Sequence, residues 1–212
     1  MIANDWGKRI ARRSDISMGL VHLTKGNEEL CAFEVLMKIL KEQRIIGSIN
    51  QIVDGQQRGF ICGSSPVVCF QDVPLHSLSE NILFEQQIRE DDKTLPVRYT
   101  AFGLRFDKRY VFKNGGRPVI YEKTDVAKKF LPQNEFWRIV RLDLEDEKYI
   151  VDWTHEREWR VKGDFEFELD KVEVLLSDEK SFGDFYAYCE KEYMLDVLKK
   201  VKAIITLKSL VL

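Results

Sequence analysis

The chain has no CxxC pair, and its three histidines, His22, His76 and His155, lie far apart. Structural zinc sites draw four Cys or His ligands from close sequence groups, so this pattern argues against a metal centre. The four cysteines, Cys31, Cys62, Cys69 and Cys189, read as reduced thiols. Glycine-rich phosphate loops are missing: there is no GxGxxG after a strand and no GxxxxGK[ST]. No GxSxG stretch offers a nucleophile elbow. Apolar runs fall short of the roughly 20 residues that cross a bilayer, so no membrane partner is expected. The opening MIANDWGKRIARRSDIS is polar and basic with no apolar core, unlike a secretory signal. A formal net charge of -2 gives no global basic field, so nucleic-acid binding would need a local patch. Repeats and low-complexity segments are absent as well. These gaps together leave a cytoplasmic protein as the expectation.

What is present is ordinary globular material, 44% hydrophobic and 32% charged over 212 residues. That length suits a single domain over 1–212. Residues 1–18 form a basic arm through Lys8, Arg9, Arg12 and Arg13, read as a solvated helix face or a short phosphate contact. Gly19 to Thr24 reads as a strand. Asn27 is positioned as an N-cap for a helix whose Leu30, Phe33, Leu36, Met37 and Leu40 recur at helical spacing. The Gly-, Ser-, Gln- and Asn-rich stretch 48–65 reads as irregular, and 66–70 as a buried strand. A helix is expected from Ser77 or Ser79, and an aromatic strand over 98–106. Asn114-Gly115-Gly116 marks a turn into a strand from Arg117 to Tyr121. Asp125 to Leu131 suits a short helix, while 136–144 fits helix or strand. Residues 148–153, 157–162 and 165–176 read as strands, Tyr186 to Lys199 as a helix, and 203–212 as a terminal strand. Helices and strands mix without strict alternation. The pattern predicts an α+β fold with a mainly antiparallel, split sheet flanked by helices, not a doubly wound parallel one.

Three pieces could carry chemistry. His22-Leu23-Thr24 closes the first strand. Val68-Cys69-Phe70-Gln71-Asp72 leads through a polar bend into a helix, with Cys69 reading as an inert core thiol. Glu156 and Glu158 stand two apart in DWTHEREWRV, and on a strand such residues share a face. Paired carboxylates repel unless a cation faces them. Arg160 on the same face could be that cation, and so could a substrate that becomes positive during reaction.

In order and separation these pieces resemble the motifs of ADP-ribosyltransferases of the diphtheria-toxin/PARP type. His22-Leu23-Thr24 is similar to their His-x-Thr strand, Val68 to Asp72 to their aromatic strand, and Glu156-Arg157-Glu158-Trp159-Arg160 to their late Glu strand. The spacing, with Gly115-Gly116-x-Pro118-Val119-x-Tyr121, looks closer still to AbiGi-type bacterial phage-resistance proteins and more distantly to DarT-type nucleic-acid ADP-ribosyltransferases. The resemblance covers about residues 19 to 176. Cys69 stands where that pattern has a stacking Tyr, which leaves Phe70, Phe60, Tyr99 or Tyr110 to supply an aromatic face.

The resemblance implies that NAD is the substrate and that no metal is needed. Breaking the nicotinamide–ribose bond builds positive charge on the ribose, and a fixed carboxylate stabilises that charge as it develops. Glu158 takes this role by resemblance, and Glu156 orients the acceptor or accepts its proton. His22 and Thr24 would hydrogen-bond the dinucleotide, with Phe70 and Arg160 completing the NAD site. The implied activity is ADP-ribosylation of a macromolecule, a nucleic acid or protein acceptor, in anti-phage defence or a toxin–antitoxin pair with a cognate partner. The alternative is a non-catalytic module of the same fold, antitoxin-like or a sensor of NAD or ADP-ribose.

Overall fold

A computed structural model describes residues 13–49, 51–53, 56–58, 61–94 and 99–210. The described chain is mixed α+β, with mostly antiparallel sheet flanked by helices. It divides into two compact units, one made of 1–42, 72–107 and 168–212, the other of 43–71 and 108–167.

The first unit holds β1 (Gly19–Leu23), α1 (Ala32–Glu42), α2 (Leu75–Asp91), β6 (Gly103–Asp107), β12 (Val172–Leu176), α5 (Glu179–Lys191), α6 (Leu195–Lys200) and β13 (Ala203–Thr206). Its strands run in the order β13-β12-β6-β1. β6 is antiparallel to both β1 and β12, while β12 and β13 are parallel. Parallel neighbours need a crossover, which α5 and α6 provide. Every residue of β12 is buried, so its Val-Glu-Val-Leu-Leu run reads as continuous rather than alternating. Glu173 is tolerated there because Arg105 and Lys202 both pair with its carboxylate. Val21, Val73, Leu78, Ile82, Ala101, Leu175 and Leu207 form one core cluster.

Helix α1 buries Leu36, Met37, Ile39 and Leu40 on one side, as the spacing predicts. Asn27, however, caps an earlier turn, accepting from the amides of Glu29 and Leu30. The helix itself starts five residues later, where Glu34 reaches back to the Cys31 amide. The expected long helix over 186–199 is two helices. Tyr193 takes a left-handed φ of 56° between them, and the first begins at Glu179 because Asp178 accepts from the Ser181 amide.

The second unit holds β2 (Arg44–Ile45), β3 (Gln51–Val53), β4 (Gln56–Arg58), β5 (Val67–Gln71), α3 (Lys108–Lys113), β7 (Arg117–Pro118), β8 (Ile120–Glu122), α4 (Thr124–Phe130), β9 (Ile139–Arg141), β10 (Glu158–Lys162) and β11 (Phe165–Glu166). Central strand β10 is antiparallel to β5 on one side and β7 on the other. β8 pairs parallel with β9, and β11 antiparallel with β2. The aromatic centre is Phe165, with Phe70 edge-on at 5.3 Å and Tyr110 at 6.1 Å.

Several expectations change here. The 48–65 stretch contains the short β3–β4 hairpin rather than loop alone. The Asn114–Gly116 turn follows a helix, α3, and not a strand. The aromatic strand is confined to Gly103–Asp107. Residues 136–144 divide into the end of a 3-10 helix, Gln133–Arg138, and strand β9. The strand expected over 148–153 reduces to one bridge, Asp143 to Val151. Aspartate turn chemistry wins there: Asp146 accepts from the Lys148 amide and Asp152 from the Thr154 amide. The 165–176 segment is broken by a 3-10 turn, Leu169–Lys171.

Candidate active site

Glu158 is the first residue of β10, and the turn before it decides where its partners lie. Thr154–Glu156 is one turn of 3-10 helix, tied down at its start by the Asp152 carboxylate. Arg157 then adopts a left-handed conformation, φ 45° and ψ 51°. That geometry costs a non-glycine residue about 1 kcal/mol, and it swings the chain into the strand. Glu156 therefore sits in the turn, half-buried, and not on the strand. The expectation that Glu156 and Glu158 share a strand face is corrected on this point.

Glu158 is buried, 8% exposed, and Arg160 is 2% exposed. Two residues apart on one face of β10, they form a forked ion pair. Arg160 Nε donates to Glu158 Oε1 at 2.7 Å, and Nη2 to Oε2 at 3.3 Å. Arg160 Nη1 donates to the carbonyls of Trp137 at 2.7 Å and Ile139 at 3.2 Å. Burial opposes the guanidinium charge, but Glu158 and then Cys69 outweigh it, so Arg160 is held above its ordinary value. Four of the five N–H donors of a guanidinium are thus engaged by Glu158 and two main-chain carbonyls. Of the two explanations open for the acidic pair, the structure shows the Arg160 partner directly.

Cys69 lies directly across from Arg160 in the β5–β10 register, hence on the same face. Burial pushes its thiol well up, and the Glu158 charge adds to this. Such a thiol is no nucleophile. Phe70 is on the opposite face of β5, 1% exposed, with its ring against Phe165. It is core, and offers no free ring face to a nicotinamide beside Glu158. Tyr110 is likewise packed on Phe165, Tyr99 packs against the core cluster of the first unit, and Phe60 lies outside the described residues.

Tyr121 was hidden in the Gly-Gly-x-Pro-Val-x-Tyr stretch, with no sequence signal for its role. Its hydroxyl accepts the Glu158 amide at 2.7 Å. Burial pushes the phenol up to about 12; the amide bond works against this, and the charges of Glu158 and Glu156 reinforce it. The phenol thus stays protonated while it holds the Glu158 amide at the head of the strand.

His22 and Thr24 belong to the first unit. His22 is half-buried on β1, opposite Leu104. Thr24 is 2% exposed, and its hydroxyl donates to the carbonyls of Ala32 at 2.8 Å and Phe102 at 3.2 Å. It braces the strand exit against the start of α1, so its proton is not available to a dinucleotide. Arg13 pairs with Asp15, while Lys8, Arg9 and Arg12 lie outside the described residues. In the Lys199–Lys202 stretch, Lys200 pairs with Asp196 and Lys202 with Glu173.

Among the described residues no three His, Cys, Asp or Glu side chains group as metal ligands, and no helix is long and apolar enough to cross a membrane. A cavity of about 440 Å³ is lined by Lys123, Thr124, Asp125, Lys128, Arg141 and Asp143. Within it Asp143 pairs with both Lys123 and Arg141, and Lys123 also pairs with Glu145. The chain matches no family model, no curated protein and no solved structure.

Proposed function

We propose that this chain is an NAD-dependent ADP-ribosyltransferase that modifies a macromolecule, with nucleic acid the first acceptor to test, in phage defence or a toxin–antitoxin pair. The observation that carries the reading is the placement of Glu158: it opens a central strand directly after a left-handed turn that follows Glu156, and the Tyr121 hydroxyl holds its amide. NAD supplies the ADP-ribosyl group as its ribose–nicotinamide bond breaks, nicotinamide leaving with the bonding electron pair. Glu158 faces the positive charge that grows on the ribose, and preorganised charge of this kind is worth roughly 3 kcal/mol or more of barrier. Glu156 takes the proton released by the acceptor as its new bond forms. Arg160 fixes the Glu158 rotamer and is a positioning residue rather than a contact to NAD. The fit is partial, because Phe70 and Thr24 are committed elsewhere.

The test is incubation with labelled NAD and DNA, RNA or protein. Label transfer that Glu158→Gln abolishes supports the reading, whereas no turnover, no labelling and no NAD-dependent rise in melting temperature would overturn it.

A second reading has its own observation. Arg160 takes both carboxylate oxygens of Glu158, and the Phe70 ring is buried. This favours a non-catalytic module, antitoxin-like or a sensor of NAD or ADP-ribose. Calorimetry showing NAD or ADP-ribose binding without turnover would select the sensor.

A further inference from the structure

We infer that the second unit carries a binding surface for single-stranded nucleic acid, built on Phe112, Arg117 and Trp159. Phe112 is 49% exposed at the end of α3. The Arg117 guanidinium lies over its ring, 4.2 Å from the centroid. Arg117 is fixed there, because Nη1 donates to the Phe112 carbonyl at 3.0 Å and the Gly116 carbonyl at 2.7 Å. The Trp159 ring meets Phe112 edge-on at 6.5 Å and is half-buried.

The intervening turn makes this arrangement possible. Gly115 has φ +90°, and a Cβ on Gly116 would stand 2.5 Å from a Val111 methyl carbon. Only glycines allow a return this tight, and it brings Arg117 back over Phe112. Trp159 is odd-numbered between Glu158 and Arg160, so it points to the other face of β10. The surface is therefore on the face away from the Glu158–Arg160 pair.

Its chemistry selects the occupant. The stretch from 108 to 121 carries Lys108, Arg109, Lys113 and Arg117 and no carboxylate, on a chain whose net charge is -2. Arg109 and Lys113 are exposed. Flat ring and guanidinium faces beside cations suit unstacked bases and their phosphates. A duplex hides its base faces. An acidic peptide would use the cations and leave the flat faces idle.

The inference does not depend on NAD chemistry, since binding is measured with NAD absent. The experiment is fluorescence anisotropy of the full chain with labelled 20-nucleotide DNA and RNA single strands across a potassium chloride series. Binding that weakens with salt is expected. Phe112→Ala should weaken it roughly tenfold by loss of one stacking partner. Lys113→Glu should weaken it and flatten the salt dependence. Both positions are exposed, and melting curves verify the fold; if Phe112→Ala unfolds, Lys113→Glu decides. Binding of DNA alone or RNA alone supports the inference and names the polymer. No binding at the lowest salt, unchanged affinity in the folded variants, or equal competition by polyglutamate overturns it.

Discussion

Arg160 Nη1 donates to the Trp137 carbonyl at 2.7 Å while Nε holds Glu158 at 2.7 Å. One buried guanidinium thus ties strand β10 to the segment that enters β9. Removing one member of a buried ion pair strands the other, at a typical cost of 3–5 kcal/mol. Arg160→Met should therefore destabilise the chain by about that amount in urea unfolding. Adding Glu158→Gln to it should recover part of the loss, and failure to recover any would show that the carbonyl bonds, not the charge pair, dominate.

Tyr121→Phe removes the acceptor of the Glu158 amide without changing the ring. The loss should be about 1 kcal/mol, the net value of one hydrogen bond. If Glu158 acts on NAD, the same variant should also lower kcat by letting the head of β10 shift. A stability loss with unchanged turnover would confine Tyr121 to structure.

Gly103 on β6 faces β1 so closely that a Cβ would stand 2.5 Å from the His22 carbonyl oxygen. Gly103→Ala should force the β1–β6 pair apart and cost about 1–3 kcal/mol. By contrast a Cβ on Gly115 meets nothing, so Gly115→Ala should cost only the strain of its positive φ, about 1 kcal/mol. The two melting curves, compared, separate crowding from backbone strain.

Burial works against the Glu173 carboxylate, but Lys202 and Arg105 outweigh it and hold it below the usual carboxylate range. A depressed folded value means stability that is full above the unfolded value near 4.5 and is lost as pH falls through the folded one. Glu173→Gln should therefore lower stability at neutral pH and blunt the acid-side loss. An acid limb identical to that of the parent would contradict the assignment.

How much of this was legible in the sequence depends on whether the signal was local. The helix face of Leu36, Met37 and Leu40 follows from periodicity, and the α+β class from the mixture of segments. Glu158 and Arg160 facing each other follows from strand alternation alone. The position of Glu156 did not, because a left-handed Arg157 is set by the turn around Asp152 rather than by its own residue type. Phe70 was misjudged because alternation gives two faces without saying which one is core, and Phe165, far along the chain, decides that. The hold of Tyr121 on the Glu158 amide was invisible for the same reason, its partner lying 37 residues away. Thr24 looked like a ligand contact until the Ala32 carbonyl took its proton.

The carboxylates of Glu158 and Glu156 carry the proposed chemistry, and they should fail differently. Glu156, half-buried in its turn, should tolerate Gln with little change in stability, whereas Glu158→Gln weakens the hold on Arg160 and should cost on the order of 1–3 kcal/mol.

The most direct measurement is release of nicotinamide from NAD by the parent chain and by Glu158→Gln, each verified as folded, with single-stranded DNA, RNA and protein offered as acceptors. The account predicts turnover and label transfer by the parent, and loss of roughly 100-fold or more in the variant. Equal rates in the two folded proteins, or no NAD cleavage with any acceptor, would contradict it.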